Sequence, residues 1–333
     1  MTTAATPVRR TPHLTGTEVA SVRALAGAAG DADGTYPLSE HVTLHLRYGG
    51  DAPAVHLLAR EDDGTLVGYA HIDPTDAVEG PSAEVVVHPM RRRRGLGRTL
   101  VAAALAAAAE HDPAGRLRLW AHGDHPSASA LALSMGFERR RVLWQMRRPL
   151  YAPVPAPDPV PGVTIRPFRP GEDDAAWVAV NNRAFADHPD QGGWTLADLR
   201  VRVAEPWFDP AGFLLAEASG EPWLGRVKAR PDDEGSRLLG FHWTKVHGDV
   251  EPPAGGRHAH DPIGEVYVLG LDPLARGSGL AVALTLAGLR HLRGRGLDQV
   301  MLYVDESNQR AVALYRGLGF VRWSTDVEFV RRG

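Results

Sequence analysis

Arg92-Arg93-Arg94-Gly95-Leu96-Gly97 and Arg276-Gly277-Ser278-Gly279-Leu280-Ala281 are one phrase written twice, 184 residues apart. Each follows an apolar run closed by a proline. The first run is Val85-Val86-Val87-His88-Pro89, and the second is Val266-Tyr267-Val268-Leu269-Gly270-Leu271-Asp272-Pro273. Each leads into a stretch rich in strong helix formers. Glycines let the backbone approach a ligand closely, and a helix N-terminus offers unpaired N–H groups to an anion. The reading is strand, phosphate-holding turn and helix, with no Walker-type lysine. Repetition in matching context makes the chain two copies of one α/β unit.

The repeat extends further. After the second motif come Leu302-Tyr303-Val304-Asp305-Glu306-Ser307-Asn308 and Ala313-Leu314-Tyr315-Arg316-Gly317-Leu318-Gly319-Phe320. After the first come Leu117-Arg118-Leu119-Trp120-Ala121 and Ala130-Leu131-Ala132-Leu133-Ser134-Met135-Gly136-Phe137. Motif arginine to Gly-Phe phenylalanine spans 45 residues in one half and 44 in the other. Arg-x-x-Gly-x-Gly/Ala after an apolar strand, then helix, strand and Gly-Phe, resembles the GNAT family of acetyl-CoA-dependent N-acetyltransferases. The resemblance implies an α/β fold with a mixed sheet in each of two tandem acyl-CoA N-acyltransferase domains.

The linker is legible in prolines at 153, 155, 157, 159 and 161. Such a stretch joins neither a ladder nor a helix and is expected as an extended, semi-rigid spacer. The expected division is therefore 1–150, linker 151–161 and 162–333. Periodicity places helices near Gly16 to Ala29, Leu96 to Glu110, Asp174 to Phe185 and Leu196 to Ala204. Strands are expected near Val55 to Arg60, Leu66 to Asp73, Val163 to Phe168, Gly212 to Glu217 and Leu238 to Val246.

Composition narrows the chemistry. At 333 residues the chain suits two domains. A net charge of −3 speaks against a nucleic-acid partner. The chain has 0 cysteines, which removes disulfides, zinc–thiolate sites and a cysteine nucleophile. Arg257-His258-Ala259-His260-Asp261 lies in a Gly/Pro-rich stretch and reads as a solvated loop, so no metal is expected. The N-terminus has no apolar leader, and the longest apolar stretch, Leu100 to Ala109, is too short to span a bilayer. A soluble, cytoplasmic monomer with no membrane partner is expected.

The halves differ where chemistry would sit. Aligning Pro273 on Pro89 sets Glu265 opposite Pro81, and aligning Phe320 on Phe137 sets Tyr315 opposite Ala132. Acyl transfer to an amine needs a base for the ammonium and favours a donor for the departing thiolate. Glu265 and Tyr315 suit those roles. The bland alternatives stay open: Tyr315 as a core ring before Gly319-Phe320, Glu265 as a rim charge, and Arg91 to Gly97 as a relic turn.

Three further stretches are Val180-Asn181-Asn182-Arg183-Ala184-Phe185-Ala186-Asp187-His188-Pro189-Asp190-Gln191-Gly192-Gly193-Trp194-Thr195, Gly240 to His247, and Gly264 to Pro273. With the tandem layout they make nearly the whole chain similar to the mycothiol synthases, a branch of the same family. That resemblance implies acetyl transfer from acetyl-CoA to the cysteinyl amine of a small-molecule thiol precursor, cysteinyl-glucosaminyl-inositol. Only the second half would be catalytic, with Glu265 and Tyr315 carrying the reaction. Backbone groups of Leu269, Gly270 and Leu271 would pair with the pantetheine arm. Arg276, Gly277, Ser278, Gly279, Leu280, Ala281 and Val282 would hold the pyrophosphate, flanked by Asn308, Gln309, Arg310, Ala311, Val312 and Ala313. Asp190, Lys245, Glu265 and Tyr303 would contact the acceptor, with Glu40 reaching it from the first half. Val85, Val86, Val87, Arg92, Arg93, Arg94, Gly95, Leu96 and Gly97 would bind a second acetyl-CoA. Two departures stand out: Asp190 replaces a longer glutamate, and Gly248 to Ile263 reads as an insertion. Two other functions stay open. One is a tandem acetyltransferase for another small amine or a peptide N-terminus. The other is a CoA-binding regulator without turnover, against which Glu265 and Tyr315 argue.

Overall fold

The computed structural model describes residues 6–39, 42–43, 45–46, 54–76, 79–186, 192–221, 223–228, 237–247 and 262–332. The chain forms two compact units. One comprises 1–144, 305–309 and 323–333, and the other 145–304 and 310–322. Among the described residues, no helix is long and apolar enough to cross a membrane.

The first unit opens with β1 (Val8–Thr11) and α1 (Gly16–Asp33), followed by β2 (Val55–Arg60), β3 (Leu66–Asp73) and β4 (Ser82–Val87). Then come α2 (Leu96–Ala109), β5 (Leu117–Ala121), α3 (Pro126–Ser134) and the first part of β6 (Glu138–Pro149). Strands β1 to β4 pair antiparallel in sequence order, and β5 lies parallel to β4. Beyond β5 the next strand is β12 (Val321–Arg331), antiparallel, with Val327 opposite Ala121 and Arg331 opposite Leu117. No sequence signal announced that pairing. Buried charge fastens it: Asp326 on β12 accepts from the Gly123 N–H and meets His122 Nδ1, both at 2.9 Å. Burial pulls the His122 pKa down, but hydrogen bonds to Asp326 and Glu84 outweigh it and raise it to about 10. Strand alternation gives the sheet two apolar faces. Leu57, Ala59 and Ile72 pack with Leu100 and Ala104 of α2, while Leu58, Tyr69 and Val86 pack with Val22, Leu25 and Ala26 of α1.

The second unit repeats the plan with β7 (Val163–Pro167), α4 (Asp174–Ala184), α5 (Leu196–Val203), β8 (Phe213–Ala218), α6 (Trp223–Lys228) and β9 (Leu238–His247). It continues through β10 (Ile263–Leu271), α7 (Leu280–Gly294), β11 (Gln299–Asp305) and α8 (Gln309–Gly317). Strands β7 to β10 are antiparallel neighbours, and β11 runs parallel to β10. One face carries an aromatic core of Trp177, Phe213, Phe241 and Trp243, all at 0% exposure. The other packs Leu214, Ala216 and Leu239 on Leu280 and Leu284 of α7.

The expected helices and strands are present, with ends displaced by a few residues. Strands β1, β6 and β12 and helix α6 were not anticipated. The proline-rich stretch has no regular structure, as expected, but it is fastened down and is no free spacer. Val154 is 3% exposed and its carbonyl accepts from Arg290, while the Trp223 indole donates to the Pro161 carbonyl. Prolines cannot join a ladder, yet their carbonyls still accept.

Gly288 shows how tightly α7 sits. A Cβ there would lie 2.1 Å from Cε1 of His242, a buried ring whose Nδ1 is 2.8 Å from the Leu284 carbonyl. A rigid ring cannot yield as a flexible chain end would. Gly288→Ala is expected to destabilise the protein by about 1–3 kcal/mol. Thermal or urea unfolding checks this, and an unchanged midpoint would show that α7 can shift away.

Candidate functional site

The opening in the second unit comes from two strands parting. Strand β10 pairs with β9 along its whole length, Ile263 to Leu271, but with β11 only at Gly264 and Glu265. A register shift between Val266 and Val268 puts Tyr267 in a β-bulge at the point where β11 leaves. Past the bulge, no pairing with β11 continues among the described residues, which leaves that edge of Leu269, Gly270 and Leu271 for backbone pairing. The first unit shows the same early end to parallel pairing, at Glu84, leaving Val85, Val86 and Val87 beyond it.

Strand β10 runs directly into the glycine loop. Asp272, 1% exposed, accepts from the Leu274 N–H at 3.0 Å and from Arg183 Nε at 2.8 Å. This fixes the turn at Pro273 to Ala275. Gly277 and Gly279 follow with φ of 80° and 83°, a left-handed backbone that other residues rarely adopt. Ser278 Oγ donates to the Ala275 carbonyl at 2.7 Å and accepts from the Leu280 N–H at 3.3 Å. Helix α7 then starts at Leu280 with Gly279 as an N-cap lacking any side-chain hydrogen bond. By contrast, α1 and α5 are closed by Thr–acid capping boxes. The N-terminus of α7, through Ala281 and Val282, keeps its N–H groups and dipole for something else.

The first unit builds the same turn from different residues. Gly95 has φ 87° where Gly279 has 83°, and His88 caps the turn where Asp272 does. Arg93 takes φ 62° at the position of Gly277. The four-arginine run is not all available to a phosphate. Arg92 makes a fork to Asp33 at 2.6 and 2.7 Å, and Arg91 holds Glu61 at 2.5 and 2.9 Å. Arg93 and Arg94 are exposed. The Leu96 side chain is buried, and a Cβ on Gly97 would press Leu131 at 3.1 Å.

Glu265 is no rim charge. It is 6% exposed, faces Lys245 across the β9–β10 ladder, and its Oε2 lies 2.6 Å from His247 Nε2. Lys245 is 8% exposed, with Nζ 4.6 Å from the Trp207 ring centre and 5.2 Å from that of Tyr267. Burial holds its ammonium below the ordinary lysine value, and the Glu265 carboxylate pulls the other way. The Tyr267 hydroxyl accepts from Arg202 Nε at 3.1 Å, and the Arg202 guanidinium lies 4.0 Å from the Trp194 ring centre. Asn182 clamps Trp194 by its backbone, donating to its carbonyl at 2.9 Å and accepting its N–H at 3.0 Å. The Asn182-Arg183 pair thus positions both the aromatic floor and the glycine loop.

Tyr315 is a core ring, as the blander reading of it has it. Its ring packs edge-on against Phe320 at 5.7 Å, and burial raises the phenol pKa. Its hydroxyl has no hydrogen-bond partner among the described residues. Tyr303 on β11 is 43% exposed and accepts from Gln145 Nε2 at 2.8 Å. Asn308 precedes α8, its N–H donating to the Asp305 carbonyl at 3.0 Å, and Gln309, Arg310, Ala311, Val312 and Ala313 begin the helix. Glu40, Asp190 and residues 248–261 lie outside the described residues.

Two findings go beyond the sequence reading. The bulge corrects the alignment of the halves. Leu271 faces Gly240 as Val87 faces Gly68, but the extra residue at Tyr267 then brings Glu265 opposite Ser82, not Pro81. The first half still has no acid there. His247, quoted only as part of a motif, is the partner of Glu265. The signal was its two-residue offset from Lys245, which places both on one face of β9.

The Acetyltransferase (GNAT) family profile matches residues 28–137 and 177–320. The Mycothiol acetyltransferase of Salinispora arenicola is 57% identical over 325 residues, covering 97% of this chain and 96% of that one. That of Acidothermus cellulolyticus is 53% identical, covering 100% of this chain and 98% of the relative. Among solved structures, a tandem GNAT protein from the clavulanic acid biosynthesis pathway superposes with TM-score 0.68 at 21% identity, covering 98% of each chain. A GCN5-related N-acetyltransferase from Sphaerobacter thermophilus gives 0.67 at 23% identity, covering 98% of this chain and 95% of that one. These two share the fold.

Proposed function

The chain belongs to the GNAT acetyltransferases and, within them, to the mycothiol acetyltransferase family; from that premise we propose a site assignment for its acetyl transfer in the second unit. The enzyme is an acetyl-CoA-dependent N-acetyltransferase of mycothiol synthesis, acting on the cysteinyl amine of cysteinyl-glucosaminyl-inositol. In this reading it works as a cytoplasmic monomer, with no metal in the transfer step and neither nucleic acid nor membrane as partner.

The observation that supports the assignment is the continuity of β10. One strand carries Glu265, the bulge, the open edge Leu269 to Leu271 and the uncapped start of α7, in that order. A donor laid along it has its pyrophosphate over Arg276 to Val282, where the helix N-terminus attracts anions. Its pantetheine amides pair with the β10 edge, and its thioester arrives at the bulge beside Glu265. The residues from Asn308 to Ala313 flank it. Lys245 and Tyr303 meet the hydroxyls of the acceptor, as do Glu40 and Asp190 by the family resemblance. The corresponding loop of the first unit, with Val85 to Val87 and Arg92 to Gly97, takes a second acetyl-CoA without turnover.

Glu265 draws the proton from the cysteinyl ammonium through a water. His247 steadies the carboxylate from the side facing solvent. The freed nitrogen lone pair attacks the thioester carbon, the nitrogen gives up a further proton to solvent, and the tetrahedral adduct collapses to the neutral amide with the C–S electrons returning to sulfur. The Tyr315 hydroxyl donates to that sulfur as the bond breaks. A thiol titrates near about 8.5 and a phenol near about 10, and burial widens the gap. Proton delivery from Tyr315 is therefore uphill, and its help is chiefly a hydrogen bond. Tyr315→Phe is expected to lower kcat by about 10-fold, below the usual range for a general acid. Steady-state thiol release measures this; a loss beyond about 1000-fold would make Tyr315 the obligatory acid.

The substrate assignment is tested by comparing thiol release with cysteinyl-glucosaminyl-inositol, simple amines and peptide N-termini. Equal kcat/KM for all three would remove it.

A further inference from the structure

The first unit contains three histidines that acetyl transfer does not use. His56 on β2 and His71 on β3 are directly opposite in the ladder, and each is 2% exposed. His45, in helical conformation ahead of β2, completes the group. Ring centres are 5.4 Å apart for His45 and His56, 5.0 Å for His45 and His71, and 5.3 Å for His56 and His71. One nitrogen from each lies within 4.8 Å of the others.

The fold does not require imidazoles here. With Gly68 matched to Gly240, His71 falls at the position of Trp243, and His56 at that of its ladder partner Phe213. In the second unit those two rings simply stack, 4.3 Å apart and 8° from parallel. The first unit has put buried polar rings where an apolar stack serves its sister.

We propose that His45, His56 and His71 form a binding site for a single Zn²⁺ ion in the N-terminal unit, with water as fourth ligand. Three neutral imidazoles and an open position make a four-coordinate zinc site. His56 Nδ1 lies 2.8 Å from the Tyr69 hydroxyl, which fixes the ring and leaves Nε2 for the ion. Zn–N bonds of about 2.0–2.1 Å put tetrahedral ligand atoms roughly 3.4 Å apart. The ligand atoms therefore close by up to about 1.4 Å on binding. The site ties the His45 segment to β2 and β3.

The test uses the full chain, stripped with a chelator and titrated with Co²⁺ as a visible probe, then with Zn²⁺. The expected result is one equivalent of Co²⁺ with the intense absorption of a four-coordinate ion, displaced by one equivalent of Zn²⁺. Zn²⁺ should also raise the Tm. His56→Phe and His71→Phe, which follow the aromatic choice of the second unit, should fold and lose both effects. Tyr69→Phe should keep the site but weaken it about 10-fold. If either Phe variant fails to fold, His45→Gln decides, because that residue is not fully buried. Wild-type protein that binds no Co²⁺, or gives only the pale spectrum of a six-coordinate ion, overturns the proposal. Undiminished binding in His45→Gln or in the folded Phe variants overturns it equally.

Discussion

Gly279→Val is expected to weaken acetyl-CoA binding by about 100-fold and to abolish turnover at ordinary donor concentrations. The reason lies in backbone shape. Gly279 has φ 83°, where an L-residue costs roughly 1–2 kcal/mol and a β-branched one more. Among the described residues, nothing apart from its chain neighbours lies within 4 Å of the Cβ position, so no side chain there clashes. The added side chain points into the space assigned to phosphate, and the strain turns the loop N–H groups away. Losing one or two charge-assisted hydrogen bonds at about 1.5–3 kcal/mol each gives a change of that size. Gly95→Val is the matched control. It has φ 87° and is equally open, so it carries the same strain in the half without an acid or base. It should leave turnover largely intact. Calorimetric titration with acetyl-CoA and thiol-release kinetics check both. Unchanged affinity in the Gly279 variant removes the pyrophosphate assignment, and equal loss of turnover from both variants means both halves matter to catalysis.

Glu265→Gln is expected to lower kcat/KM by about 100- to 10,000-fold near neutral pH. The amide keeps the size of the carboxylate and can still hydrogen-bond His247, so the substitution removes charge and basicity with little change in shape. An α-amino group titrates near about 7.7–8.0, so as pH rises the acceptor loses its proton unaided. The deficit should therefore shrink on the alkaline side. A deficit that stays constant from neutral to alkaline pH assigns Glu265 to holding the ammonium by charge, with no base role.

What the sequence revealed was whatever depends on neighbours along the chain. The two glycine turns, the strands before them and the helices after them follow from local backbone needs; the left-handed φ of Gly95 and Gly279 is a finding of the structure. The strand carrying Glu265 was equally legible. The bulge at Tyr267 was not, because the alternation of β10 reads smoothly through it, and so the match to Ser82 was missed by one residue. The pairings of Arg183 with Asp272 and of Glu265 with His247 join residues 89 and 18 positions apart, and only the folded sheet brings them together. His45, His56 and His71 carry no motif spacing at all.

The pairing of β12 with β5 has a consequence for how the protein is made. The strand that covers β5 of the first unit comes from residues near 330, so the half of the chain synthesised first is not the first to finish folding. While the ribosome translates the rest, β5 presents an unpaired edge, a template for the wrong strand. His122 and Glu84 wait with it for Asp326. In the cell, a holding chaperone or rapid elongation through the second unit would set the yield of native protein. Variants that weaken β12 should therefore reduce expression more than their equilibrium stability suggests.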